Sequence, residues 1–215
     1  LDDELFLTDG SVAGTVRVDL RPNDDAEPRF LTPVTGGGIV FEASRVQGDR
    51  VLWRSDGTAA STRVLADFTP GTTTGDSDPL LPWVTLDTTN ALYFGASTPA
   101  QGPGVYKFQQ GKVVRLVNGK LDRSGNSVEI IRNGRAIRLF STGGILWASD
   151  GTPVGSRAIG SVNLNHDCAS IGHLAIFVAH SAGGTEPWVS DGTAAGTRQL
   201  VDSVSGSRSS QPRDF

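Results

Sequence analysis

The chain is poor in sulfur, with one cysteine, Cys168, and no methionine in 215 residues. A lone thiol excludes an internal disulfide, and with it the disulfide-stapled scaffolds of small secreted domains. Positive charge is nowhere concentrated: 19 Lys and Arg stand against 23 Asp and Glu, for a formal net charge of −4. Phosphate binding needs a dense basic patch, so nucleic acid is not an expected partner. Long apolar runs are missing too. The longest, Leu174-Ala175-Ile176-Phe177-Val178-Ala179, is strand-sized and far short of the ~20 residues of a membrane-spanning helix. A chain that opens on Leu1 and lacks Met is expected to be a mature, trimmed or excised piece, so its want of a leader is uninformative. The abundance of Gly, Thr and Ser suits an all-β protein exposed to the outside world.

What is present is a repeat. Pro187-Trp188-Val189-Ser190-Asp191-Gly192-Thr193-Ala194-Ala195-Gly196-Thr197-Arg198 recurs as Leu52-Trp53-Arg54-Ser55-Asp56-Gly57-Thr58 and as Leu146-Trp147-Ala148-Ser149-Asp150-Gly151-Thr152. A weaker copy is Leu5-Phe6-Leu7-Thr8-Asp9-Gly10-Ser11. The Asp-Gly pairs at 9, 56, 150 and 191 are spaced by 47, 94 and 41 residues, and the doubled middle gap points to a decayed copy. It is found at Gly104-Val105-Tyr106-Lys107-Phe108, which lacks the Asp but runs into Val114-Arg115-Leu116-Val117-Asn118. Five copies therefore lie near residues 5–19, 52–67, 104–118, 146–161 and 187–202. Their spacing falls in the range of propeller blades and solenoid units.

Each copy reads as strand, tight turn, strand, because Asp-Gly is a strong hairpin signal and Gly takes φ > 0 without steric cost. Asp9, Asp56, Asp150 and Asp191 are expected to be structural, their carboxylates accepting from backbone N–H groups just ahead. The second glycine, at 14, 155 and 196 with Ser61 once in its place, is expected to supply a further left-handed position. Trp53, Trp147 and Trp188, with Phe6 and Tyr106 in the other copies, are expected to fill seams between blades. A ring of sugar-stacking aromatics is the alternative. Arg63, Arg157 and Arg198 are expected to pair with local aspartates.

The strands between copies complete the expectation of an all-β, five-bladed propeller, one domain over residues 1–215. Residues 1–19 read as the last two strands of one blade. The tail Gln211-Pro212-Arg213-Asp214-Phe215 resembles the segment Glu27-Pro28-Arg29-Phe30 that opens the next. The ring is thus expected to close through the N- and C-terminal segments. One strand of that shared blade, the counterpart of Ile39–Ala43, is missing, so the expectation is a three-stranded blade, a strand supplied by another segment or chain, or a sequence taken from a longer array. The fifth blade is read from Cys168 to Asp202.

The repeated Leu-Trp-x-Ser-Asp-Gly-Thr-x-x-Gly-Thr-Arg resembles the ELWxxDGT repeat family of bacterial secreted and surface proteins. Glu186 keeps the family's leading acid, while the copies at 52 and 146 keep Leu-Trp and lose it. The resemblance implies an extracellular, propeller-like module and is nearly silent on activity.

No catalytic motif is found. A glycosidase needs two carboxylates facing each other across a sugar, roughly 5 to 10 Å apart. The carboxylates outside the repeat, Asp24, Asp25, Glu27, Glu42, Asp76, Asp78, Asp87, Asp122 and Glu129, are scattered. His166, Cys168, His173 and His180 fall within fifteen residues, but the spacing of His173 and His180 sends them to opposite faces of a strand. Cofactors are expected to be none, with calcium the one possibility, through Asp24 and Asp25 or Asp76 and Asp78. The expectation is a non-enzymatic, secreted or cell-surface binding module, lectin-like toward a glycan or surface polymer. Its contacts would come from the connector residues Asn23, Asp24, Asp76 and Asn165, with Trp83 as a stacking surface. The competing reading is a structural or protein-interaction subunit, and a glycosidase-like enzyme stands third.

Overall fold

The computed structural model describes residues 3–34, 37–46, 49, 51–67, 80–86, 91–98, 100–122, 127–181, 184–201 and 209–210, with backbone alone at 80–86 and 166. Asp76 and Asp78 lie outside the described residues. Strands account for its regular structure, together with one 3-10 turn at Ala59–Ser61.

Among the described residues eighteen strands form five antiparallel sheets. The first has two strands, β1 (Leu5–Leu7) and β2 (Val16–Val18). The second runs through β3 (Arg29–Pro33), β4 (Ile39–Ala43), β5 (Val51–Ser55) and β6 (Arg63–Ala66). The third holds β7 (Leu80–Leu86), β8 (Leu92–Thr98), β9 (Gly102–Gln109) and β10 (Lys112–Asn118). The fourth holds β11 (Ser127–Arg132), β12 (Arg135–Thr142), β13 (Ile145–Ser149) and β14 (Arg157–Gly160). The fifth holds β15 (Asn163–Ile171), β16 (Leu174–Ser181), β17 (Gly184–Ser190) and β18 (Arg198–Gln199). In every four-stranded sheet consecutive strands are neighbours, which is the up-and-down order of a propeller blade.

The chain forms two compact units, Leu1–Val84 with Phe94–Gly102 and Thr85–Tyr93 with Pro103–Phe215. In the first, Leu5, Val18 and Leu20 share a core with Phe41, Ala43, Val51 and Trp53, so the two-stranded sheet packs face to face on the second sheet. In the second, Val128, Ile130, Leu139 and Leu146 share a core with Leu164, Ala175, Phe177 and Ala179, joining the fourth and fifth sheets. Each fully buried Val, Leu, Ile or Phe in these shared cores contributes about 1.5–3 kcal/mol.

The aromatic of the motif meets a phenylalanine on the preceding strand. Phe41 faces Trp53, Phe140 faces Trp147 and Phe177 faces Trp188 across adjacent strands. The first pair stacks, with centroids 6.3 Å apart and planes at 12°. Trp53 and Tyr106 are buried, and Trp188 packs against the core between the fourth and fifth sheets. Trp53 and Trp188 thus lie in cores shared by two sheets, as the repeat leads one to expect. Phe6 does not: it is 57% exposed.

One difference from the sequence reading concerns register. The fifth sheet begins at Asn163 rather than at Cys168, because β15 pairs with β16 across an irregularity between Leu164 and Cys168. A bulge lets a polar stretch, Asn165-His166-Asp167, ride within a strand that alternation alone would end. Similar shifts recur between Leu52 and Trp53 and between Leu146 and Trp147, directly before the motif tryptophan.

Candidate functional site

The most repeated polar feature is the turn that follows the motif strand. Oδ1 of Asp150 accepts from the Thr152 N–H at 2.9 Å and the Thr152 hydroxyl at 2.7 Å. Thr152 Oγ1 in turn accepts from Gly155 N at 2.9 Å. Ser156 donates to the Thr152 carbonyl at 2.7 Å and meets Ser149 Oγ at 2.7 Å, while Gly151 N donates to Ser149 Oγ. The same set holds Asp191 with Thr193, Gly196, Thr197 and Ser190, and Asp9 with Ser11, Gly14, Thr15 and Thr8. At Asp56 the Ser61 hydroxyl donates to the carboxylate directly, as does Thr58.

These bonds hold the pKa values of all four carboxyls below the ordinary carboxylate range. The principal cause is the Ser11 N–H for Asp9, the Ser61 hydroxyl for Asp56, and the Thr152 and Thr193 hydroxyls for Asp150 and Asp191. The aspartates are consumed by the turns they build. Gly10, Gly57, Gly151 and Gly192 take φ between 80° and 97°, as Asp-Gly requires. The second glycine has another cause than the one expected of it. Gly14, Gly155 and Gly196 are not in the left-handed region. A Cβ on any of them would overlap the carboxylate of Asp9, Asp150 or Asp191.

The leading acid of the motif is a clamp. Glu186 is fully buried; its Oε1 accepts from Ser210 N at 2.9 Å and its Oε2 from the Ser210 hydroxyl at 2.6 Å. Glu4, the same position in the first copy, is 7% exposed and accepts from Leu20 N at 2.9 Å through Oε2. The residue before each acid is pinned as well. Asp3 N donates to Asp25 Oδ1 and its carbonyl accepts from Ala26 N; Thr185 N donates to Ser209 Oγ and its carbonyl accepts from Ser210 N. Sequence reasoning does not single out Glu4, although the acid directly before Leu5-Phe6 carries the signal.

The expected ligand residues do not converge. Asn23, at φ 69°, and Asp24 lie in the connector after β2. Asp24 is ion-paired with Arg21, and Asp25 is bound to Asp3, so both acids already have partners. Among the described residues no group of His, Cys, Asp or Glu is arranged to hold a metal ion. Asn165 is not in a connector but within β15, carried there by the bulge. Trp83 lies on β7. His180, exposed, pairs its Nδ1 with Thr185 Oγ1 at 3.1 Å, and burial pushes the Cys168 thiol up. Arg157 donates to the Gly192 carbonyl of the next turn and Arg63 to the Ser61 carbonyl. Among the described residues neither these two nor Arg198 pairs with a local aspartate, a correction to the default expectation. The turn carboxylates are already satisfied by hydroxyl and amide donors, which leaves them little call on a guanidinium.

Among the described residues an open groove of about 500 Å3 lies at the two-stranded sheet. Asp3, Glu4 and Phe6 line one side of it, and Glu27, Arg29 and Leu31 line the other. Glu27 and Arg29 pair at 2.6 Å. Leu31 is 50% exposed, like Phe6 an uncovered apolar side chain at the groove. Oε1 of Glu4 has no hydrogen-bond partner among the described residues. The groove runs beside β1, which among the described residues pairs with β2 alone; its counterparts β5, β9, β13 and β17 each have a strand on both sides.

No family model matches the chain, and no curated protein matches it. Solved structures do. A puromycin-hydrolyzing peptidase of Mycobacterium tuberculosis matches with a TM-score of 0.53 at 12% identity, over 94% of this chain and 32% of that one. A puromycin hydrolase solved in complex with PGG gives 0.52 at 16%, over 94% and 32%. A prolyl endopeptidase gives 0.50 at 16%, over 92% and 30%. The chain thus spans about a third of the length of these proteins. At such identities the likeness bears on the fold alone: the chain is an all-β protein with propeller-like structural neighbours.

Proposed function

We propose that the chain is a non-enzymatic binding module of the propeller kind, recognising an extended protein segment as an interaction subunit of a larger extracellular assembly. The observation that carries this is the groove beside β1, where a strand edge with no neighbour among the described residues and the exposed Phe6 meet an acidic wall of Asp3, Glu4 and Glu27. A sheet edge offers main-chain hydrogen bonds to an incoming segment, and side-chain pockets beside it supply selectivity. The repeated carboxylates contribute to turns rather than to a reaction, which favours binding over catalysis. The finer architecture that goes with this reading is a five-bladed ring closed through its terminal segments, built by a member of the ELWxxDGT repeat family and placed outside the cell. Four four-stranded sheets and one two-stranded sheet support the count of five.

A second reading is kept by one observation. Phe6 stands at the motif's aromatic position and is exposed, so a sugar ring could stack on it. A displayed library of extended peptides, screened beside a glycan array run with calcium and with chelator, separates the two. The protein reading expects peptides whose binding is lost in Phe6→Asp, and blank arrays in both conditions. Specific sugar binding with no enriched peptide would overturn it in favour of the lectin-like reading, and loss in chelator would then turn attention to Asp76 and Asp78.

A further inference from the structure

Six junctions in the chain join an Asp or Asn to a glycine, and all six lie within the described residues: Asp9-Gly10, Asp56-Gly57, Asn118-Gly119, Asn133-Gly134, Asp150-Gly151 and Asp191-Gly192. Such junctions share one spontaneous chemistry. The glycine main-chain nitrogen, once deprotonated, attacks the side-chain Cγ of the residue before it, and glycine permits the approach because it has no Cβ in the way. Water reopens the five-membered imide that forms, at one carbonyl to aspartate and at the other to isoaspartate, whose main chain runs through the side-chain carbon. A hydrogen bond from the glycine N–H to a fixed acceptor opposes the first step, because it retains the proton and fixes the nitrogen's direction.

Five of the six junctions carry that bond. Gly10 N donates to Thr8 Oγ1 at 3.0 Å, Gly57 N to Ser55 Oγ at 3.2 Å, and Gly151 N and Gly192 N to Ser149 and Ser190 Oγ at 3.0 Å. Gly119 N donates to the Pro103 carbonyl at 3.0 Å. At the four Asp-Gly turns the carboxylate is held as well, by the N–H and hydroxyl of the residue after the glycine. The hydroxyl residue directly before each motif aspartate therefore restrains the glycine nitrogen as well as shaping the turn.

Asn133-Gly134 is the exception. It is the two-residue turn between β11 and β12, with Asn133 at φ 52° and Gly134 at φ 73°, and both residues are exposed. Gly134 N has no acceptor among the described residues, and no atom lies within 4 Å of where a Cβ on Gly134 would stand. Arg132 and Arg135 form the last pair of the hairpin. Rotating two residues at such a tip is a local opening that costs far less than unfolding. Positive charge on both sides of the turn favours the deprotonated nitrogen and the anionic adduct at Cγ.

We infer that Asn133 is a spontaneous deamidation site, while Asn118 and the repeat's own Asp-Gly turns are held against the same reaction. The bond from Gly134 N to Asn133 Cγ forms, the bond from Cγ to the amide nitrogen breaks and ammonia leaves; water then adds and one imide C–N bond breaks. Water is the one co-reactant. Each conversion adds a negative charge to the formal net −4, independently of what the module binds. Arg135 acts electrostatically on Asp150 and Arg132 on Asp191, so the new carboxylate competes with two motif turns for the same guanidiniums. The aspartate product keeps the hairpin, since Asp-Gly suits the same turn as Asn-Gly. The isoaspartate product lengthens the main chain by one carbon and breaks the turn.

The test incubates the full 215-residue chain, folded, at mildly alkaline pH. Its digest is followed by mass spectrometry with fragmentation that separates aspartate from isoaspartate. Conversion at Asn133 is expected at least tenfold faster than at Asn118, with no isoaspartate at Asp9, Asp56, Asp150 or Asp191. In the urea-unfolded chain both asparagines are expected to convert. Asn133→Gln, whose longer side chain would have to close a six-membered ring, is expected to leave position 133 unconverted and Asn118 as slow as before. Conversion at Asn133 no faster than at Asn118 in the folded chain overturns the inference. So does conversion of Asn133 in the unfolded chain alone, which would show that the turn itself protects it. Isoaspartate at the Asp-Gly turns as fast as at Asn133 would overturn the protective role of the glycine N–H bond.

Discussion

Asp191 and its three counterparts earn their place by hydrogen bonding, and their ionisation follows from it. A carboxyl whose folded pKa lies below its unfolded value of about 3.9 contributes stability at all higher pH, and that contribution is lost as pH falls through the folded value. Replacing Asp191 with Ala is therefore expected to cost about 1 kcal/mol near neutrality, the small end for a charged acceptor because the turn is partly solvated. Urea unfolding from pH 7 to 2 should show the gap between parent and variant constant down to about pH 5, shrinking below about 4, and closing at the acid end. The partner glycine gives a sharper expectation of sign. Gly to Ala in an ordinary φ region stabilises by about 0.4–1 kcal/mol through the unfolded chain. At Gly196 the added methyl would meet the Asp191 carboxylate, so Gly196→Ala is expected to destabilise by about 1–3 kcal/mol in the same measurement. The sequence shows that both glycines of the turn matter. It shows why only for the first, since close approach of a side chain from five residues back leaves no mark in local propensity.

At the scale of strands and sheets, the same motif position has opposite energetic weight in different copies. Trp53 is buried against Phe41 and donates its Nε1 hydrogen to the Ala43 carbonyl at 3.1 Å. Trp53→Ala is expected to cost about 3–5 kcal/mol. Phe6→Ala, at the equivalent exposed site, should fall within about 0.5 kcal/mol. Chemical denaturation of both variants checks this, and equal costs would contradict the claim that Phe6 lacks its covering strand. Strands were legible because alternation, Asp-Gly turns and the repeat all agree on them. The start of β15 was not, because a polar Asn165-His166-Asp167 stretch reads as connector until the bulge between Leu164 and Cys168 is seen. The clamp at Glu4 and Glu186 was hidden for a related reason. A buried acid in a strand looks like any solvated acid until the connector bonded to it, Leu20 or Ser210, is placed.

For the whole molecule, repetition accounts for both what is complete and what is open. Among the described residues four sheets seat their motif strand between two neighbours, and the first, β1-β2, seats it beside one. Nothing in the composition points to that groove, because Asp3, Phe6, Glu27 and Leu31 are unremarkable one by one and come together only through packing of the two-stranded sheet on the second sheet. The expected contact residues Asn23, Asp24 and Asn165 follow from connectors as a class, whereas among the described residues the open surface belongs to a strand edge. Edges of this kind invite pairing, and proteins that keep one exposed use it or guard it.

Amide hydrogen exchange on β1 tests the central claim most directly. In the protein alone, the β1 amides that face away from β2 should exchange within the dead time of the measurement, while those of β5 and β13 stay protected by neighbours on both sides. Adding a peptide enriched from the displayed library should slow those β1 amides and leave β5 and β13 unchanged. Protection of β1 equal to that of β5 and β13 before any peptide is added would contradict the account, because the edge would already be paired.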